Sequence, residues 1–396
     1  MNLLILTSDT GGGHRSVARA LAAGFEEESG GACNVQVVDY LADYAPFPLS
    51  RARELYTFLM RYPLLYDVIY DATNTRRGRT LDAPALGLAM EAGMRRLLRD
   101  YSPDVIVATH PLGAPALTSL LYRRGESLPY HTVVTDYGSQ HTWWAYPLGE
   151  LWFVPCQETA DHLIGCGLPN ARVVVSGYPV HPRFARRERP AAETRRALGL
   201  EPDRFTLLLM GGAEGVGPLE EIVQALAATP APWQLIVVTG RNQALYQRLK
   251  TLAPRWAIPV CLEGLIDDVP SRMHASDLLL TKAGGSSLSE GLASGLPMLL
   301  ISVLPGQEEE NAQYFERLGV ARRVSEPALI RAAVEELATP DSPQRRRMLS
   351  AIGRAAHPRA SLDIARHVLD YGTVATASPV PPHFGLHLLQ SRTLRR

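Results

Sequence analysis

His14 closes the run Ser8-Asp9-Thr10-Gly11-Gly12-Gly13-His14, directly after the apolar stretch Leu3–Thr7 and before the helical pattern of residues 15–28. Three successive glycines let a backbone turn tightly and approach a ligand. The helix that follows aims its unpaired amides and positive dipole end at the same place. An imidazole there can take a proton from an alcohol near neutral pH, or it can simply cap the helix start. The spacing is not the G-x-G-x-x-G of a dinucleotide site, although Asp39 closes the second apolar run where a ribose-binding acid stands in such folds. Met210-Gly211-Gly212-Ala213-Glu214-Gly215-Val216-Gly217 repeats the device later in the chain. One such loop is a weak signal, because any tight strand-to-helix turn favours glycine. Two suggest a ligand held in a cleft between domains.

A third stretch is more specific: Thr281-Lys282-Ala283-Gly284-Gly285-Ser286-Ser287-Leu288-Ser289-Glu290-Gly291, followed by Pro305-Gly306-Gln307-Glu308-Glu309-Glu310-Asn311. Backbone amides at Gly284 and Gly285, the hydroxyls of Ser286 and Ser287 and a helix start make a cradle for a pyrophosphate. Glu290, one to two turns into that helix, can accept from both hydroxyls of a ribose. Lys282 sits inside the motif, where an ammonium near a phosphate and a lysine at a domain seam are both consistent readings. The chain has 40 Lys+Arg against 40 Asp+Glu, yet Lys250 and Lys282 are its only lysines.

Positioning these loops requires strands that feed them. Short β-branched or leucine-rich runs alternate with helical patterns throughout, the pattern of βαβ units and parallel sheets. The expected strands are 3–7, 35–39, 105–109, 131–135, 151–154 and 172–176, then 205–210, 235–239, 260–263, 278–281 and 298–302. The restart predicts an α/β protein with two similar three-layer domains, 1–180 and 181–371, joined at Pro179–Phe184. A disordered tail is expected over 372–396. The length of 396 residues fits two cores better than one. Segment 51–99 breaks the rhythm, with nine arginines and five acids among apolar residues at helical spacing: Leu55, Phe58, Leu59, Tyr62, then Leu86, Met90, Met94 and Leu97. A pair of helices packed on the sheet and a basic surface for anionic lipid, centred on Arg76, Arg77 and Arg79, both fit.

Composition excludes several classes. A hydrophobic share of 46% and 20% charge describe an ordinary folded chain. Zero net charge gives no support for a nucleic-acid partner. The four cysteines lie far apart without C-x-x-C spacing, so neither a zinc site nor a disulfide framework is expected and a reducing compartment fits. The apolar start at Leu3–Leu6 is too short for a signal peptide, and no run approaches a membrane span.

Seven motifs in order resemble the glycosyltransferases that place a hexose on diacylglycerol: the monogalactosyldiacylglycerol synthases and bacterial diacylglycerol glucosyltransferases, with MurG more distant. They are residues 8–15, Thr-His-Pro-Leu (109–112), Val-Thr-Asp-Tyr (134–137) with His141 and Trp144, Gly-Tyr-Pro-Val (177–180), Leu-Met-Gly-Gly-Ala-Glu-Gly (209–215), Thr-Lys-Ala-Gly-Gly (281–285) and 305–311. The resemblance implies a GT-B fold, two facing Rossmann-like domains with an interdomain cleft. It also implies inverting transfer from UDP-galactose or UDP-glucose to the free hydroxyl of 1,2-diacylglycerol. His14 matches the general base, with Asp136 orienting it or sharing the role. Gly12, Gly13, His141 and Trp144 would lie on the acceptor side. Glu290 matches the ribose-binding acid, Gly284–Ser287 the diphosphate loop with Gly211, Gly212 and Lys282 nearby, and Gln307, Glu308 and Asn311 the contacts to sugar hydroxyls. Leu265 would face uracil. No cofactor or metal is implied, and Asp267-Asp268 do not form a D-x-D sequence.

The first loop reads like the plant galactosyl enzymes, whereas Gly-Gly-Ser-Ser after Ala283 and Glu309-Glu310 before Asn311 read like the bacterial glucosyl enzymes. A MurG-like N-acetylglucosaminyl transfer and a non-catalytic UDP-sugar-binding protein remain as alternatives. The implied location is cytoplasmic, peripheral on the inner face of the cell membrane, against anionic lipid.

Overall fold

The computed structural model describes residues 1–9, 13–59, 74, 76–124, 127–138, 141–303, 307–324 and 326–375. The side chains of residues 56–59, 76–84, 122–124, 307 and 372–375 are outside that description. The chain forms two units, and each carries one six-stranded, all-parallel sheet.

The first unit holds β1 (Asn2–Thr7), β2 (Asn34–Asp39), β3 (Val105–Ala108), β4 (Tyr130–Val133), β5 (Leu151–Val154) and β6 (Val173–Val175), in the order β2-β1-β3-β4-β5-β6. β1 is apolar and buried over its last five residues, as a central strand covered on both faces must be. β2 leaves Val37 exposed and buries Val38, the signature of an edge strand. The helices are α1 (Gly13–Glu28), α2 (Tyr40–Tyr44), α3 (Ala52–Leu59), α4 (Arg76–Tyr101), α5 (Gly113–Arg124) and α6 (Gln157–Gly165). Because β1 lies between β2 and β3, the chain leaves it in opposite directions on its two sides. The carboxyl ends of β1 and β3 therefore flank a topological switch point, where ligands of open α/β sheets bind.

The second unit repeats the plan with β7 (Phe205–Met210), β8 (Trp233–Val238), β9 (Val260–Glu263), β10 (Leu278–Lys282), β11 (Met298–Ser302) and β12 (Ala321–Arg323), in the order β12-β11-β10-β7-β8-β9. Its helices are α7 (Ala191–Ala197), α8 (Leu219–Ala227), α9 (Gln243–Leu252), α10 (Val269–His274), α11 (Gly285–Ala293), α12 (Gln307–Arg317), α13 (Pro327–Ala338) and α14 (Pro343–Ala355). Here the switch point lies between β7 and β10, so the glycine loops after Met210 and Thr281 leave adjacent strand ends.

Three expectations need correction. First, the last helix, α15 (Ala360–Ala375), belongs to the first unit, so the second unit spans Pro182–Pro358 rather than 181–371. It also carries order four residues past the expected end at Tyr371, and residues 376–396 lie outside the description. Gly24 admits this helix, because a Cβ there would stand 2.6 Å from the carbonyl oxygen of Ser361. Arg366 pairs with Glu28, the Tyr371 hydroxyl donates to Glu150 at 2.6 Å, and Ser361 Oγ donates to the carbonyl of Val180 at 2.8 Å. Second, Met90, Met94 and Leu97 of α4 are fully buried in the core of the first unit, which leaves that apolar face unavailable to lipid. Third, β12 was not expected. Three residues, two of them arginine, carry too little apolar pattern to read as a strand.

Candidate active site

His14 is the second residue of α1, and its Nδ1 lies 2.6 Å from the carbonyl oxygen of Thr109, just past the end of β3. A carbonyl can only accept, so the proton of the neutral ring sits on Nδ1 and Nε2 keeps its lone pair. Thr135 Oγ1 stands 3.1 Å from the same Nδ1 and 3.4 Å from Asp136 Oδ2. The Thr109 hydroxyl donates to Thr7 Oγ1 at 3.0 Å, which ties the ends of β1 and β3 together behind the imidazole.

The His110 ring meets His14 edge-on at 4.9 Å, and Trp144 lies tilted at 6.2 Å. Removal from water pushes His14 down to about 4, against the carbonyl of Thr109 and the charge of Asp39, which pull the other way. The ring is therefore neutral at pH 7. Asp39 accepts from the backbone amides of Asp9 at 2.9 Å and Ala42 at 3.0 Å. That fixes its carboxylate at the foot of the glycine loop.

In the second unit, a Cβ on Gly211 would fall 2.2 Å from the carbonyl oxygen of Val216, so only glycine permits that loop to close on itself. Gly212 follows with φ +70. Across the switch point, Gly284 is the N-cap of α11 and makes no side-chain cap bond. Ser286 and Ser287 occupy its first turn, and Glu290 stands one and a half turns in. The Lys282 ammonium pairs with the Glu308 carboxylate from the first turn of α12. Leu265, just past β9, is 59% exposed and offers a flat apolar contact. Anions at such a helix start gain from the dipole and the free amides.

Two sequence families match this chain. The model described as monogalactosyldiacylglycerol (MGDG) synthase covers residues 14–180, and the glycosyltransferase family 28 C-terminal domain covers 206–360. The chloroplastic monogalactosyldiacylglycerol synthase of Spinacia oleracea is 33% identical over 377 residues, 93% of this chain and 72% of the spinach protein. The chain belongs to the monogalactosyldiacylglycerol synthase family. Among solved structures, Acinetobacter baumannii MurG aligns over 93% of this chain and 100% of its own, with TM-score 0.60 and 15% identity. Anabaena HepE in complex with UDP-glucose covers the same shares at 0.55 and 13%. These likenesses give the GT-B fold to this synthase-family chain.

The structure brings most of the expected synthase residues together within their own units. His14, Gly13 and Trp144 gather at the first switch point, and Gly211, Gly212, Lys282, Gly284, Gly285, Ser286 and Ser287 at the second. Gly12 and the side chains of Gln307, Arg76, Arg77 and Arg79 lie outside the described residues.

Three of the expected residues also make contacts within the protein. Asp136 reaches the imidazole through the Thr135 hydroxyl, while the atom that orients His14 is the Thr109 carbonyl. His141 caps the short helical turn Thr142–Ala145, its Nδ1 accepting from the amide of Trp143 at 3.3 Å. Asn311 is 1% exposed and donates to the carbonyl of Ala283 at 3.3 Å, bracing the loop from which the diphosphate cradle is built. Thr109, Thr135 and Asp39 were the contributors not picked out for this role. Their signal was position, since each ends or follows a strand at or beside the switch point.

Proposed function

We propose that the chain transfers galactose from UDP-galactose to the free hydroxyl of 1,2-diacylglycerol with inversion, giving β-monogalactosyldiacylglycerol. The observation that carries this reading is the fixed tautomer of His14 in a chain that is 33% identical to a monogalactosyldiacylglycerol synthase across 93% of its length. The acceptor oxygen attacks the anomeric carbon as its proton passes to Nε2. A new C–O bond forms, the bond from that carbon to the β-phosphate oxygen breaks, and UDP leaves with the electron pair. A ring held near 4 is a weak base, so the proton moves as the new bond forms rather than ahead of it. The imidazolium formed is stabilised by the Thr109 carbonyl and the charge of Asp39.

The departing diphosphate gains negative charge where the amides of 284–287, the start of α11 and Lys282 can meet it. Glu290 accepts from the ribose, and Leu265 lies against uracil. The HepE neighbour, crystallised with UDP-glucose, supports a donor of this class. Galactose is chosen over glucose because the matched relatives are galactosyl enzymes.

No described helix is long and apolar enough to cross a membrane. We place the protein at the inner face of the cell membrane, held by anionic lipid. Exposed Phe47 and Leu55, with Arg51 and Arg53 close to them in sequence, would supply the contact, as would the basic run Arg76, Arg77 and Arg79.

Incubation with diacylglycerol vesicles and UDP-galactose, UDP-glucose or UDP-N-acetylglucosamine, with products identified, tests the reading. Monogalactosyldiacylglycerol is the expected product. A glucolipid would transfer the assignment to glucose, and turnover only on another acceptor would overturn it.

A further inference from the structure

We propose that His110 is a positioning residue for His14: its Nδ1 holds the turn that aims the Thr109 carbonyl, and its ring packs beside the imidazole that this carbonyl orients. This rests on the reading of His14 as general base given above and deepens it, because it names the side chain that keeps the proton of that ring on Nδ1.

The peptide between Thr109 and His110 carries the oxygen that fixes the tautomer of His14, so its orientation matters as much as its position. On the Thr109 side it is anchored to the sheet. The amide of Thr109 donates to the carbonyl of Leu6 at 2.9 Å, and its hydroxyl donates to Thr7 Oγ1 at 3.0 Å. On the other side the chain runs on through Pro111, which fixes its own φ and biases His110 toward extended backbone. The His110 side chain then closes the turn, its Nδ1 accepting from the amide of Leu112 at 3.4 Å. This is the i to i+2 closure by which Asn and Asp build turns, with an imidazole nitrogen in place of the side-chain oxygen. α5 begins at the next residue, Gly113.

Because Nδ1 of His110 accepts, the proton of its neutral ring sits on Nε2. The two rings, with centroids 4.9 Å apart and planes at 73°, therefore carry opposite tautomers: His14 donates from Nδ1, and His110 accepts at Nδ1. Burial keeps both neutral at pH 7, pushing His14 down to about 4 and His110 well below 6.5, with the charge of His14 adding to the latter. The His110 ring, with Trp144 tilted at 6.2 Å, also opposes a half-turn of the His14 imidazole, which would put a carbon where Nδ1 now meets the carbonyl.

Imidazole nitrogen NMR of the full chain labelled at histidine, assigned by single replacements, tests this together with kinetics on diacylglycerol vesicles and the UDP-hexose that the chain turns over. In the wild-type chain His14 is expected to be protonated at Nδ1 and His110 at Nε2. His110→Phe keeps a ring and removes the acceptor. The Nδ1-protonated share of His14 is expected to drop and kcat to fall about three- to tenfold, the worth of one hydrogen bond, with KM for the UDP-hexose within about twofold. His110→Asn removes the ring but returns an acceptor at the same point of the turn. It is expected to keep His14 protonated at Nδ1 and to recover most of the lost kcat.

A wild-type His110 protonated at Nδ1 would overturn the proposal, and that measurement needs no variant to fold. So would a His14 tautomer unchanged in His110→Phe, or an Asn variant no better than Phe; either result leaves His14 standing as the base. A chain that turns over no UDP-hexose would remove the reading of His14 as a base, and this proposal with it.

Discussion

The carbonyl oxygen of Thr109 and Nδ1 of His14 lie 2.6 Å apart, although 95 residues separate them in the chain. The contact joins the end of β3 to the start of α1 and sets the proton of the ring on the side away from any acceptor that approaches Nε2. It is a backbone contact, so no substitution at position 109 removes it directly. The side chains around it are open to test.

Replacing His14 by Ala should lower kcat by roughly 10²–10⁴-fold, the usual loss for a general base. UDP affinity should stay within about twofold, since the UDP-binding residues named above belong to the second unit. The acid limb of kcat/KM assigned to His14 should fall near pH 4 rather than 6.5, because burial disfavours the imidazolium. A limb at 6.5 that vanishes in the variant would show the ring to be well solvated.

Thr135→Val keeps the shape of the side chain and removes the hydroxyl between His14 and Asp136. The expected result is a fall in kcat of about tenfold with KM for the UDP-sugar unchanged, about 1.4 kcal/mol of lost hydrogen bonding in the transition state. Thr135→Ser should recover most of it. Equal losses in Ser and Val would mean that the methyl group, not the hydroxyl, matters.

Stability should fall in acid, and the sign follows from three histidines held below their ordinary range. His14 is pushed down to about 4, His131 to about 3, and His110 well below 6.5, in each case chiefly by burial. Between pH 6.5 and 4 the unfolded chain takes up protons that these folded rings refuse. Each ring can then cost up to about 1.4 kcal/mol per pH unit through that window, and nothing above pH 7. His131 is fully buried, and neither ring nitrogen has a hydrogen-bond partner among the described residues. His131→Leu should therefore flatten the slope of unfolding free energy against pH, measured by urea titration from pH 7.5 to 4.5.

Gly24→Ala should destabilise the first unit by about 1–3 kcal/mol, since the added methyl meets the backbone of α15 rather than a movable side chain. Thermal unfolding reads this directly. An unchanged midpoint would mean that α15 can shift outward at little cost.

Phe47 is 80% and Leu55 50% exposed, each large for an apolar side chain on a soluble surface. Phe47→Asp should weaken binding to anionic vesicles by one to two orders of magnitude, the worth of about 1.5–3 kcal/mol of apolar burial. Binding unaffected by this change and by neutralising Arg51 and Arg53 would move the lipid contact elsewhere.

Much of this architecture was readable beforehand because parallel sheets buried on both faces write themselves as continuous apolar runs. β7, with Phe205–Met210, was legible to the residue. β4 was read as starting one residue late and ending two late, because Val134 and Thr135 have strand-forming side chains although the chain has already left the sheet. That overrun hid the part of Thr135, whose hydroxyl turns toward His14 instead of standing on a sheet face. The destination of α15 was not legible at all. Its apolar stripe of Leu362, Ile364, Ala365 and Val368 announces a buried helix but does not say on which unit. The bond from Asn311 to the Ala283 carbonyl was hidden for a related reason: a motif fixes where a residue falls along the chain, while burial decides what its amide can reach within the protein.

The return of α15 bears on how the molecule is made. The first unit is assembled from two separate stretches, Met1–His181 and a segment beginning at Arg359, with the whole of Pro182–Pro358 between them. On the ribosome its sheet can form early, but the seat of α15 stays open until Ala360–Ala375 emerges, whereas the second unit is complete once Pro358 is out. Nascent chains stalled when Pro358 has just left the ribosome should thus hold a finished second unit and a first unit still susceptible to proteases and chaperones. A gene cut after His181 should give a poorly soluble amino-terminal piece, and supplying Arg359–Ala375 as a separate peptide should rescue it.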